Sequence, residues 1–153
     1  MWRARLAASL ALLALPLGAA ANPPDACSVV KIEDINQIAG GGITKVRAQR
    51  SGNPSECAFL DSRRAAVLVI SIGEVKYAAE NELQHERENL EKIYRTKAKW
   101  LTTVGENAFW LDRTNLLMFR KAKMLVSVTF NRKQNQNEAD TAQVARLVEA
   151  QIK

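Results

Sequence analysis

Ala65-Ala66-Val67-Leu68-Val69-Ile70-Ser71-Ile72 is the stretch on which the architecture turns. Side chains alternate across an extended chain, so Ala66, Leu68, Ile70 and Ile72 fill one face while Val67 and Val69 occupy the other. Apolar groups on both faces describe a central strand covered from both sides. Just upstream, Cys57-Ala58-Phe59-Leu60 and the turn Asp61-Ser62-Arg63-Arg64 make this strand the second arm of a hairpin. Ser51-Gly52-Asn53-Pro54-Ser55 is a loop, and Ile43 to Gln49 is a strand of irregular polarity. Before it, Ile32, Ile35, Ile38 and Ala39 recur at helical spacing, with Val29 and Val30 anchoring the start and Gly40-Gly41-Gly42 supplying the stop.

Downstream, a long helix is expected from about Glu74 to Arg95. Val75, Ala79, Leu83, Leu90 and Ile93 or Tyr94 form its apolar stripe. Arg87 with Glu91, Glu88 with Lys92 and Glu91 with Arg95 are spaced to pair along its outer face. Trp110 to Asp112, Leu116 to Phe119 and Met124 to Asn131 read as strands. In the last, Met124, Val126, Val128 and Phe130 alternate with a wetter set, Leu125, Ser127, Thr129 and Asn131. The polar run Arg132 to Asn137 leads to a final helix, Glu138 to Ile152. The expected fold is therefore α+β, a single compact domain. An antiparallel sheet of five to six strands packs with three helices, and a helix-plus-hairpin unit occurring twice suggests pseudo-duplicated halves.

The first residues carry an address. Met1-Trp2-Arg3-Ala4-Arg5 is a basic start, Leu6 to Leu17 is apolar, and Gly18-Ala19-Ala20-Ala21 offers the small side chains that a signal peptidase accepts. Residues 1–21 read as a signal peptide cleaved after Ala21, or after Ala20, leaving 22–153 as the mature domain. Pro16 and Gly18 interrupt the apolar run short of the roughly 18 residues a membrane anchor needs. Pro23-Pro24-Asp25-Ala26 before Cys27 does not suit lipidation. Loss of Arg3 and Arg5 lowers the formal charge from +6 to +4, since all 16 acidic residues lie beyond the signal. The expected address is exported, with the periplasm favoured and secretion to the medium the alternative. Nucleic acid then loses its appeal as a partner, and an anionic envelope component gains.

Cys27 and Cys57 are the chain's 2 cysteines. In an oxidising compartment an even pair favours one disulfide; two separate buried thiols are the alternative. There is no Cys-x-x-Cys redox pattern.

Three pieces together carry a resemblance: Asp25-Ala26-Cys27-Ser28-Val29-Val30 with its glycine-ended helix, Cys57-Ala58-Phe59, and Val104-Gly105-Glu106-Asn107-Ala108-Phe109-Trp110. The chain resembles small exported bacterial domains, many of them envelope lipoproteins or periplasmic proteins. Lys31 stands where such domains often have a helix-capping threonine or serine. The resemblance implies a compact α+β sheet domain with a cysteine staple, and no catalytic residues.

Candidate chemistry is sparse. His85, the sole histidine, is the natural general base, with Glu82 and Glu88 one turn to either side. On so charged a helix face a solvated histidine is the commoner outcome. One histidine among glutamates is poor ground for a metal site, and no cofactor is implied. Ser28, Ser55, Ser62, Ser71 and Ser127 lack nucleophile-elbow glycines. Gly40-Gly41-Gly42 follows a helix instead of opening one and lacks a phosphate loop's lysine. Two hairpin turns, Arg63-Arg64 and Arg120-Lys121-Ala122-Lys123, would make an anion-binding patch if they shared one rim. Trp100, Phe109 and Trp110 either line a pocket or pack the core. The reading that results is a monomeric, non-catalytic binding module for a periplasmic protein or envelope component. The alternatives are a small hydrolase-type enzyme using His85 and nearby carboxylates, or a carrier of a small apolar ligand held between sheet and long helix.

Overall fold

A computed structural model describes residues 22–75, 79–132 and 137–153. The signal segment 1–21 lies outside the described residues, as do 76–78 within the expected long helix and 133–136 within the polar run. Three helices, α1 (Ile32–Ala39), α2 (Ala79–Tyr94) and α3 (Asn137–Glu149), accompany seven strands: β1 (Ile43–Arg50), β2 (Ser55–Asp61), β3 (Ala66–Glu74), β4 (Lys99–Leu101), β5 (Asn107–Leu111), β6 (Leu116–Lys121) and β7 (Met124–Phe130). The strands form one antiparallel sheet in the order β1-β2-β3-β7-β6-β5-β4. The α+β class is as expected, with one strand more than the sequence suggested. The addition is β4, three residues too short to show an alternating pattern.

β3 sits in the interior of the sheet, between β2 and β7. Leu68, Ile70 and Ile72 are fully buried and join Cys57, Phe59, Leu117, Phe119, Val126, Val128 and Phe130 in the main core, under Ile35 of α1 and Val144, Ala145 and Val148 of α3. At about 25 cal/mol per Å² of apolar surface, this layer supplies most of the drive to fold. Ala66 does not continue that row. Phe59 pairs with Leu68 but Leu60 pairs with Ala66, so a bulge at Val67 switches Ala66 to the other face.

The opposite face carries Ala58, Val69, Ser71, Ser127, Met118 and Phe109, and α2 packs there over β5, β6 and β7. Helices α1 and α2 thus cover opposite faces, and the second meander has four strands to the first's three. Those differences argue against duplicated halves.

α2 ends where the expected long helix does, but it starts later and the apolar stripe does not reach its last turn. Gly73 and Glu74 remain in the ladder, opposite Leu125 and Met124, so Glu74 closes a strand and starts no helix. Ile93 is 69% exposed. The packed face runs from Leu83 through two charged residues. Arg87 lies 5.3 Å over the Trp100 ring and pairs with Glu91 at 2.9 Å. Glu91 also accepts the Ala98 N–H at 2.8 Å, and Lys97 reaches it at 3.5 Å. Glu88 bonds Gln84 and approaches Arg87 rather than Lys92.

Several polar side chains fix the elements in place. Asn36 makes two bonds to the main chain of Ile43, Nδ2 donating to its carbonyl and Oδ1 accepting its N–H, both at 2.9 Å, which locks the start of β1 onto α1. Lys31 gives α1 no side-chain cap; Glu33 and Asp34 in the first turn complement the helix dipole instead. Arg132 donates to the Ala39 carbonyl at 2.6 Å, pairs with Asp140, and covers Phe130 at 4.4 Å. One guanidinium therefore joins the end of α1, the start of α3 and the end of β7. Cys27 and Cys57 are disulfide-bonded, Cα to Cα 5.1 Å, and the adjacent Ala26 N–H donates to the buried Ser55 hydroxyl at 2.9 Å.

Candidate functional site

β1 is the outermost strand, paired on one side by β2, and seven of its eight residues are exposed. Two bulges interrupt it: Ile43 pairs with Asp61 but Lys45 with Leu60, and Ala48 pairs with Cys57 but Arg50 with Glu56. Thr44 and Gln49 are the extra residues, leaving Lys45 to Ala48 as the regular stretch. Lys45, Arg47 and Arg50 project from this edge on the face shared with Leu60, Ala58 and Glu56. Each is exposed, and none is in an ion pair among the described residues.

The two basic turns separate. Arg63 and Arg64 join β2 to β3 at the Ala66 end of β3, while Lys121 to Met124 form the turn at its Glu74 end. The nine residues of β3 place the turns about 26 Å apart at roughly 3.3 Å per residue. The shared rim that an Arg63, Arg64, Arg120, Lys121 and Lys123 patch required is therefore not formed. The antiparallel register across β3 and β7 is the reason. Arg120 pairs with Glu106 at 2.7 Å and Lys121 with Glu149 at 3.5 Å. Arg63 and Arg64 instead neighbour Lys45, because Asp61 and Leu60 pair with Ile43 and Lys45. Arg63 is only loosely held, 3.7 Å from Asp61 with its side chain 89% exposed. A continuous basic margin results: Arg64, Arg63, Lys45, Arg47, Arg50. The sequence reading missed its β1 members. Their signal was present in the alternation of Lys45 with Val46 and Arg47 with Ala48.

Three concavities bear on the candidate sites. An open cleft of about 410 Å³ lies between α2 and the sheet, lined by Asn53, Pro54, Ser71, Gly73, Glu74, Val75, Glu82, Met118, Leu125 and Ser127. Ser71 pairs across the ladder with Ser127, and Ser127 with Met118, so hydroxyls and a thioether form its floor. Asn53 stitches the loop to the end of β3, Oδ1 accepting the Glu74 N–H at 2.8 Å and Nδ2 donating to its carbonyl at 3.2 Å. This is where a carrier's pocket was expected, but Glu82 and the Ser71 and Ser127 hydroxyls share its lining. A groove at the end of α2 is lined by Arg87, Glu88, Glu91, Lys92, Arg95, Thr96 and Lys97. In it, the Ala98 N–H foremost, then Arg87 and Lys97, hold the Glu91 carboxyl below the ordinary carboxylate range. The third concavity lies between Leu101 and α3.

His85 is exposed on α2 and lines none of these. Glu82 and Glu88 turn to different concavities, so the enzyme reading gains no geometric support. Among the described residues no group of three or more His, Cys, Asp and Glu is placed to hold a metal ion, and no helix is long and apolar enough to cross a membrane. Ser28 bonds Asp25 and Ser55 bonds Ala26. Phe109 and Trp110 are buried on opposite faces, while Trp100 is 48% exposed at the far edge, its ring 6.2 Å from that of Phe109 in a T-shaped contact. No protein-family model matches the chain. A search of the curated proteins gives no significant relative.

Proposed function

We propose that this is an exported, non-catalytic binding module that meets an anionic component of the envelope through its basic margin. The observation carrying the reading is the run of cations along β1, in no ion pair among the described residues, which continues into the Arg63-Arg64 turn, where Arg63 is only loosely held by Asp61. Lysine and arginine on an edge strand also serve to block unwanted strand pairing. A hairpin turn has no such edge to protect, so the continuation at Arg63 and Arg64 favours anion recognition. The bulges at Thr44 and Gln49 guard against addition of a partner strand. Charge recognition by side chains is the better-supported mode. Export into an oxidising space, the periplasm first, rests on the pattern of residues 1–21 and accords with the disulfide.

The test is co-sedimentation of the mature protein with vesicles of phosphatidylglycerol and phosphatidylcholine at low salt. Each cation near an anionic surface contributes about 1 kcal/mol, so Lys45→Glu/Arg47→Glu should lose binding by well over about tenfold. Lys123→Glu, at the other end of the sheet, should bind as the parent does. Equal losses in both variants would show that only net charge matters and would remove the assignment to β1.

A further inference from the structure

The cations of β1 stand in a regular row. Lys45, Arg47 and Arg50 lie opposite Leu60, Ala58 and Glu56, every second residue of β2. They therefore recur at about 6.6 Å on one face of the sheet and together span about 13 Å. Strict alternation from Lys45 and Arg47 would send Arg50 to the other face, with Val46 and Ala48. The bulge at Gln49 takes up the odd residue and returns Arg50 to the row. Disrupting an edge does not require that its cations stay in phase. The row is also narrow. On the same face β2 presents the buried Ala58 and Leu60 and the carboxylate of Glu56, so favourable charge runs along β1 and stops beside it. Thr44 and Gln49 within the strand, and Ser51 and Ser62 at its two ends, are exposed. Their side chains make no hydrogen bond among the described residues.

We infer, resting on the basic margin as the binding surface, that its partner is an extended anionic glycan lying along β1, with a carboxylate on each sugar. Charges set one sugar apart can meet Lys45, Arg47 and Arg50 in turn, while the sugar hydroxyls bond Thr44 and Gln49 between them. Linear polyphosphate joins successive phosphates through single oxygen atoms, so most of its charges would fall between the cations. A flat headgroup layer spreads its charge in two dimensions and would set like charge against Glu56. Single exposed ion pairs are weak, so the affinity comes from several made along one chain.

Galacturonate, hexagalacturonate, neutral maltohexaose and linear hexaphosphate are the probes, in titration calorimetry on the oxidised mature protein at low salt. Each exposed pair strengthens binding by up to about fivefold, so hexagalacturonate should bind at least about fivefold more tightly than galacturonate or hexaphosphate. Maltohexaose should not bind. Backbone amide shifts should follow β1 from Lys45 to Arg50. Two variants move a cation at constant net charge. Arg47→Ala/Ala48→Arg sends the central one to the other face, and Gln49→Arg/Arg50→Gln puts the last one in the bulge. Each should weaken hexagalacturonate by at least about threefold and still bind phosphatidylglycerol vesicles as the parent does. Both change exposed positions, and thermal unfolding checks that each is folded. Hexaphosphate matching hexagalacturonate, shifts centred elsewhere, or parental glycan affinity in both relocation variants would each overturn the inference. The basic margin would still stand if Lys45→Glu/Arg47→Glu lost the vesicles. Parental vesicle binding by that variant would remove the margin, and the glycan with it.

Discussion

Opening the Cys27–Cys57 bridge is the most quantitative test of this fold. The bridge closes a loop of 30 residues, and the chain-entropy relation then gives about 3.6 kcal/mol at 25 °C. A mature domain of about 130 residues unfolds with an entropy near 0.27 kcal/mol/K, so the loss converts to a fall in Tm of about 13 °C. Cys27→Ala is the suitable variant. Cys27 is half-buried, whereas Cys57 is fully buried, so its removal would add a cavity cost to the entropic one. The remaining Cys57 thiol behaves as a small core hydrophobe. Calorimetry of the oxidised parent, the reduced parent and the variant at one pH should place the last two together and well below the first. Amide exchange should rise first at Ile35 and Ile43, since the loop contains all of α1 and β1. A drop under about 4 °C would refute the reasoning, as would two free thiols in denatured, unreduced protein.

Arg132→Met should cost about 3–5 kcal/mol, because it leaves the buried Asp140 without its partner and frees the Ala39 carbonyl; denaturant midpoints of Arg132→Met, Asp140→Asn and the double variant should be strongly non-additive. Gly105→Ala should destabilise by about 2–4 kcal/mol, since φ is +61° and a Cβ would come within 2.6 Å of the Arg120 carbonyl and 2.8 Å of the Phe119 ring. Gly52→Ala, at φ +104° with nothing within 4 Å, should cost only about 1 kcal/mol in the same assay. Glu91 is held as the carboxylate in the folded state, so its contribution is complete above the unfolded value and fades as pH falls through the lower folded value. The stability difference between parent and Glu91→Gln should therefore shrink on acidification, and a difference independent of pH would contradict the Ala98 and Arg87 contacts.

Much of the fold could be read from periodicity. The β3 stretch and the alternation of β7 both follow from side chains that alternate in step with a two-sided sheet. The same signal broke down wherever a local contact outweighed it. Arg87 and Glu91 look like a solvated pair, yet they share the packed face of α2 because Trp100 offers a ring to one and Ala98 an N–H to the other. Arg132 sits in a polar run and still ties three elements together. The basic turns were legible as turns, but their separation was not, since it depends on which strand pairs with β3. The cleft was less legible still. Ser71 and Ser127 read as ordinary alternation until the register sets them side by side.

The sheet order has a kinetic corollary. Each meander is assembled from neighbours in the chain, but the two join in the sheet along a single seam, β3 against β7. Its pairs run from Glu74 with Met124, 50 apart in sequence, to Leu68 with Phe130, 62 apart. Closing loops of that length precedes any reward from the main core. The seam is where the folding barrier should lie. Core truncations at Ile70 and Val128 should slow folding, whereas truncations at β1 or β4 should chiefly quicken unfolding.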